Sequence, residues 1–160
     1  MANVEIHETI HADAERVWAV IGDYNNIHVF HPFVKRAEQL CELGRGVGAK
    51  RRCHLGNGSS QDEEVVEWTE GESIRVRSDD AALVDDVVGG MRVRALDAHR
   101  SEVTIDMQYK PRWGVFGRLI DVLVFRLLFR AILGKVGRSL RQHIESTLSR
   151  MPVDALPLRE

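Results

Sequence analysis

Asp13-Ala14-Glu15-Arg16-Val17-Trp18-Ala19-Val20-Ile21-Gly22-Asp23-Tyr24, with His28-Val29-Phe30-His31-Pro32-Phe33 close behind, organises the reading of this chain. Asp13 suits a helix N-cap, because its carboxylate can accept from an unpaired N–H of the first turn. Glu15 places negative charge at the positive end of the helix dipole. Val17, Trp18 and Ile21 share one helical face, and Gly22 can end the helix. Asn25-Asn26 and Pro32 bracket a second short helix or turn. Upstream, Val4 to Ile10 alternates as a strand does. Downstream the pattern is strand and turn, over 33–43, 48–55, 61–69, 73–78, 87–96 and 102–110. A long amphipathic segment from about Phe116 to Arg150 closes the chain. This order predicts an α+β domain: seven antiparallel strands, two short helices near the start, and one long helix gripped by a curved sheet.

The bulk numbers agree with one globular domain over 1–150, followed by a short tail over 151–160. Charged residues make up 29% and hydrophobic ones 44%, so the composition is neither disordered nor membrane-spanning. The net charge of -2 offers no argument for nucleic acid. The charge is unevenly placed: residues 60–90 hold ten acidic and two basic side chains, and residues 112–150 hold eight basic and two acidic ones. The start of the chain has no positive n-region or apolar h-region, so no signal peptide is expected. Leu119 to Leu133 is interrupted by Asp121, Arg126 and Arg130, and its longest apolar run is four residues, far short of the ~20 that a span needs. Cys41 and Cys53 show no framework spacing, and reduced thiols in a cytoplasmic protein are expected.

The hairpin at Asn57-Gly58 allows a register to be written. Read as a two-residue turn, it sets Arg51 opposite Glu64, Cys53 opposite Asp62 and Ala49 opposite Val66. A three-residue turn at Glu70-Gly71-Glu72 then sets Trp68 against Ile74 and Val66 against Val76. One face carries Ala49, Arg51, Cys53, Glu64, Val66, Trp68, Ile74 and Val76. The other is almost all charge, with Val65 the exception, so the first face is the inner one. Arg51 and Glu64 would then pair on the concave side, where an unpaired charge is costly. Glu8 shares its face with Val4, Ile6 and Ile10 and has no evident partner. Met107 and Tyr109 point inward from the last strand.

These residues are the candidates for chemistry. A buried Arg51 could hold a carboxylate or enolate, with Glu64 or Glu8 moving a proton; the bland reading is that Arg51 and Glu64 only neutralise each other. His28 and His31 are three apart, but no third ligand has matching spacing, so no metal site is expected. His31 reads instead as a polar gate at a cavity mouth. Gly44-x-Gly-x-Gly48 is followed by a strand and not a helix, which excludes a dinucleotide loop. No cofactor is expected. The basic residues lack interleaved aromatics, which argues against single-stranded nucleic acid.

Four stretches resemble the START-like superfamily of polyketide cyclases, dehydrases and lipid-transport proteins. They are Ile10 to Trp18 with Asp23-Tyr24 and Phe30-His31-Pro32; Gly46 to Arg51; Glu64-Val65-Val66-Glu67-Trp68; and Ser101-Glu102-Val103-Thr104 before the long helix. The resemblance covers roughly residues 4 to 148 and implies a helix-grip fold with an internal cavity. Phe30 stands where relatives commonly have Trp, and Val76 where they often have Tyr. Both changes remove a polar tip from the pocket.

The resulting expectation is a small hydrophobic ligand, lipid or polyketide-like, bound among Phe30, Arg51, Glu64, Trp68, Val76, Met107, Tyr109, Leu123 and Leu127. Ile120, Phe116 and Ala131 are further helix candidates. The alternative is a cyclase or aromatase using Glu8, Arg51 and Glu64 as acid/base groups in the same cavity. Leu119 to Leu133 is apolar round more of its circumference than one buried stripe needs. A second subunit or a membrane surface, met through this apolar and basic helix, would account for the excess.

Overall fold

Alternating apolar and polar residues build the sheet of the computed structural model, which describes residues 1–78, 84–111 and 124–150. The strands are β1 (Ala2–Ile10), β2 (Val34–Gln39), β3 (Lys50–Leu55), β4 (Ser60–Thr69), β5 (Ser73–Ser78), β6 (Val84–Asp97) and β7 (Arg100–Pro111). They form one antiparallel sheet in the order β1-β7-β6-β5-β4-β3-β2. Helix α1 (Ala14–Ile21) and a 3-10 segment (Tyr24–Val29) follow β1, and helix α2 (Arg126–Arg150) closes the described chain. The expected α+β helix-grip architecture is therefore present. Among the described residues no helix is long and apolar enough to cross a membrane.

The local signals act as anticipated around α1. The Arg16 N–H donates to Asp13 Oδ1 at 2.9 Å, and Val17, Trp18 and Ile21 are buried. The Gly22 N–H donates to the Trp18 carbonyl at 2.7 Å and closes the helix. Helix α2 lies on β1 with Val136, Leu140 and Ile144 buried. Gly137 permits that approach. A Cβ there would meet Ile6 Cδ1 at 3.1 Å and Glu8 Cβ at 3.5 Å.

The β3–β4 register differs from expectation by one residue, and the turn is the reason. The loop contains three residues, Gly56-Asn57-Gly58: the Leu55 N–H donates to Ser59 O at 2.8 Å, and the Gly58 N–H to Leu55 O at 3.1 Å. Gly58 has φ of 88°, the left-handed position that three-residue hairpin loops give to glycine. Arg51 therefore faces Glu63, and Glu64 faces Lys50. A bulge at Val66 then absorbs the offset, so that Val65 pairs with Val76 while Trp68 still pairs with Ile74. A bulge places two residues against one and switches the parity of all that follows. The inner face thus carries Glu63 and Val65 in place of Glu64 and Val66. Val65, which regular alternation strands among charges, is fully buried.

Candidate functional site

The inner faces of β3, β4, β5, β6 and β7, the 3-10 segment and α2 enclose a cavity of about 660 Å³. Its wall is mostly hydrocarbon. The sheet supplies Leu55, Ile74, Val76, Val87, Ile105 and Met107, the 3-10 region Ile27 and Phe30, and α2 Phe129, Ile132, Leu133 and Val136. The helix residues repeat at i, i+3, i+4 and i+7, the spacing of one helical face. Gly89 lies between Val76 and Met107 in a cross-strand row. A Cβ at 89 would meet no atom closer than 3.9 Å. Its missing side chain contributes open space to the cavity.

One end of the cavity is polar. Arg51, 4% exposed, reaches Glu63 Oε2 through Nε at 2.7 Å and through Nη2 at 2.6 Å. Its Nη1 donates to the Tyr24 backbone carbonyl. The guanidinium carbon sits 3.9 Å from the centre of the Tyr24 ring. Glu63 also accepts from Gln61 Nε2 at 3.3 Å and from Cys53 Sγ at 3.6 Å. The Tyr24 hydroxyl donates to the Glu63 carbonyl at 3.2 Å. Burial pulls the Arg51 pKa down, but its neighbours together, the Glu63 carboxylate foremost, more than offset it and leave it raised. Burial, with Glu63 adding to it, pushes the Cys53 thiol up to about 12 and raises the Tyr24 phenol. Neither is a nucleophile near neutral pH. Cys41 and Cys53 are both free.

His31 also lines the cavity. Its ring packs edge-on to Phe33 at 5.9 Å, and its buried Nδ1 has no hydrogen-bond partner. Burial lowers its pKa to about 4; Arg51 lowers it further and Glu63 opposes.

The sequence-derived candidates separate into three groups. Phe30, Arg51, Val76 and Met107 line the cavity. Glu64, Trp68, Tyr109, Leu127 and Glu8 do not. Glu64 lies on the outer face and reaches Lys50 Nζ at 3.4 Å, a consequence of the one-residue register change. Trp68 stays on the inner side but beneath α1, edge-on to Trp18 at 5.3 Å. Its indole N–H donates to Glu70 at 2.8 Å, and the Trp18 N–H to the same carboxylate at 3.1 Å. Tyr109 is fully buried and packs on Phe129 at 4.8 Å, within the core and off the cavity surface. Leu127 is 67% exposed, with Val124 and Leu128 exposed beside it. Helix α2 turns the 129, 132, 133 and 136 face to the sheet, about half a turn from the face expected, and Ala131 is likewise exposed. Glu8 pairs with Arg141 Nη1 at 2.5 Å. Arg141 is one helical turn beyond Gly137, so the same close approach brings it to β1. Leu123, Phe116 and Ile120 lie outside the described residues.

Glu63 is the polar lining residue that sequence reasoning misplaced, whereas His31, expected as a polar group at the cavity mouth, does line the cavity. The buried Val65 was the available signal for Glu63, since only an odd slip puts both on the inner face. Among the described residues no three His, Cys, Asp or Glu side chains gather to hold a metal ion.

A seven-stranded antiparallel sheet closed over a long C-terminal helix, with a largely apolar cavity between them, defines a START-like fold. The chain belongs to the polyketide cyclase / dehydrase and lipid transport family, whose model matches residues 1–145. No curated protein sequence matches it. Several solved structures share the fold. XoxI from Bacillus cereus aligns with a TM-score of 0.75 and 20% identity, over 92% of this chain and 99% of its own. A START superfamily protein from Mycobacterium smegmatis aligns at 0.73 with 16% identity, over 91% and 98%. The ZhuI aromatase/cyclase from Streptomyces aligns at 0.65 with 20% identity, over 88% and 94%.

Proposed function

We propose that this protein binds a small, mainly apolar molecule in the cavity and carries or sequesters it without covalent change. The observation that supports this most is the combination of a hydrocarbon wall with a polar end whose charges are already paired. Small-molecule sites are mostly apolar with a few placed polar groups, and this cavity has that balance. Arg51 is committed to Glu63 and Tyr24, so moving a proton through the pair would first require breaking it. Neither Glu8 nor Glu64 reaches the cavity.

The second reading is a cyclase or aromatase acting on a poly-β-keto chain, and His31 favours it as an imidazole facing the cavity. An imidazole with a pKa of about 4 is a weak base for enolisation near neutral pH, which ranks this reading second. Native mass spectrometry of protein purified from its own host separates the two. A retained apolar molecule at one per chain, unchanged on incubation, supports the carrier. Conversion of an aromatic-polyketide surrogate by the purified protein, lost in His31→Leu, would support the cyclase and overturn the carrier.

A further inference from the structure

We propose that the outward face at the start of α2 docks on an anionic lipid bilayer. Val124, Leu127 and Leu128 enter the headgroup layer, and Arg130, Lys135 and Arg138 meet its negative charge. This surface is separate from the cavity, and its docking does not depend on what the cavity holds.

The first support is exposed hydrocarbon. One face of α2 walls the cavity with Phe129, Ile132, Leu133 and Val136. The opposite face carries Leu127, Leu128 and Ala131, within one helical turn of each other, and Val124 lies just ahead of them. Val124 is 51% exposed, Leu127 67% and Leu128 44%, and Ala131 is exposed as well. Large aliphatic side chains grouped this closely in water mark an interaction surface.

The second support is charge. From Val124 to Ile144 the chain has five basic residues and no acidic one. Lys135 and Arg138 continue the outward stripe beyond Ala131, and Arg130 flanks it; all three are exposed. Glu8 takes Arg141, but among the described residues no carboxylate pairs with Arg130, Lys135 or Arg138. The Lys135 ammonium lies 5.9 Å from the centre of the Phe33 ring, itself part of the cavity wall. The basic end of the face therefore borders the cavity.

These two properties choose the partner. Aliphatic side chains beside unpaired cations fit a surface that is negative at the top and hydrocarbon beneath. A second copy of the chain fits worse. Two-fold pairing sets one patch against itself, which brings Arg130, Lys135 and Arg138 against like charges with no carboxylate between them.

The test is flotation of the full chain with vesicles of phosphatidylcholine, alone or with about 30% phosphatidylserine. The wild type is expected to bind the anionic vesicles at least about tenfold more tightly than the neutral ones at low salt. About 0.5 M salt should remove most of that difference. Lys135→Glu with Arg138→Glu is expected to weaken anionic binding at least about tenfold. Leu127→Ser with Leu128→Ser should weaken it about tenfold while every charge is kept. Both pairs change exposed side chains, and their melting temperatures should stay near that of the wild type. Equal binding of the wild type to the two vesicle types, or binding to neither, would overturn the proposal, and that comparison needs no variant to fold. So would anionic binding unchanged in the folded Leu127→Ser, Leu128→Ser protein. A wild-type dimer in sedimentation that this variant disperses would assign the face to a second copy and overturn it too. Butylpyrene titration reads the cavity separately, so either reading can fail while the other stands.

Discussion

Arg51 and Glu63 show what a buried pair does in a cavity of this kind. Arg51 is almost wholly buried, and each group is held by more than one partner. Removing one member leaves the other charged, dry and alone, which costs about 3–5 kcal/mol. Replacing both by apolar groups of similar volume removes the problem. Arg51→Met and Glu63→Met are therefore each expected to lower stability by about 3–5 kcal/mol in urea unfolding, with the double variant more stable than either single one. His31 contributes at the same scale. Its folded pKa of about 4 lies below the ordinary 6.5, so the unfolded chain takes up the proton first as pH falls. The contribution is fully present above pH 6.5 and is lost as pH drops toward 4, amounting to on the order of 3 kcal/mol. His31→Leu should accordingly show a shallower loss of urea midpoint across that window than the wild type does.

At the scale of the element, β3, β4 and α2 show where a sequence is legible and where it is not. The strand pattern, the Asp13 cap, the Gly22 stop and the inward Arg51 all follow from local chemistry: alternation, a carboxylate before a helix, a glycine after one. The partner of Arg51 does not. It depends on whether Gly56 belongs to the turn, and a bulge at Val66 then hides the slip by restoring the Trp68–Ile74 pairing. Both are decided by packing across the sheet, and each moves the register by one. The rotation of α2 is similarly hidden. Leu119 to Leu133 offers apolar residues on most sides, so its composition does not choose a face. The choice is made farther along, where Gly137 lets the helix descend onto Ile6 and Glu8. Gly137→Leu is expected to cost about 1–3 kcal/mol by forcing the two elements apart. Gly137→Ala should be close to neutral, since a displaced Ile6 methyl is set against the roughly 1 kcal/mol that alanine gains in a helix. Thermal melts of the two variants check this.

At the scale of the whole molecule, a strip of sheet and a strip of helix are kept apart and do not fill the space between them. Natural interiors are close-packed, with few voids larger than a water. A largely hydrocarbon-lined space of about 660 Å³ is therefore a feature that calls for an occupant. Gly89 is its most economical test, because a Cβ there meets nothing closer than the Asp106 carbonyl oxygen at 3.9 Å, an ordinary contact distance. Gly89→Leu should fill part of the space, leave the melting temperature unchanged or raised, and exclude ligand. The measurement that bears most directly on the central claim is a fluorescence titration of butylpyrene into the wild type and into Gly89→Leu. Saturable one-to-one binding by the wild type, weakened at least about tenfold in Gly89→Leu, is the predicted result. Equal binding by the two folded proteins, or none by the wild type, would contradict the assignment of this cavity as the ligand site.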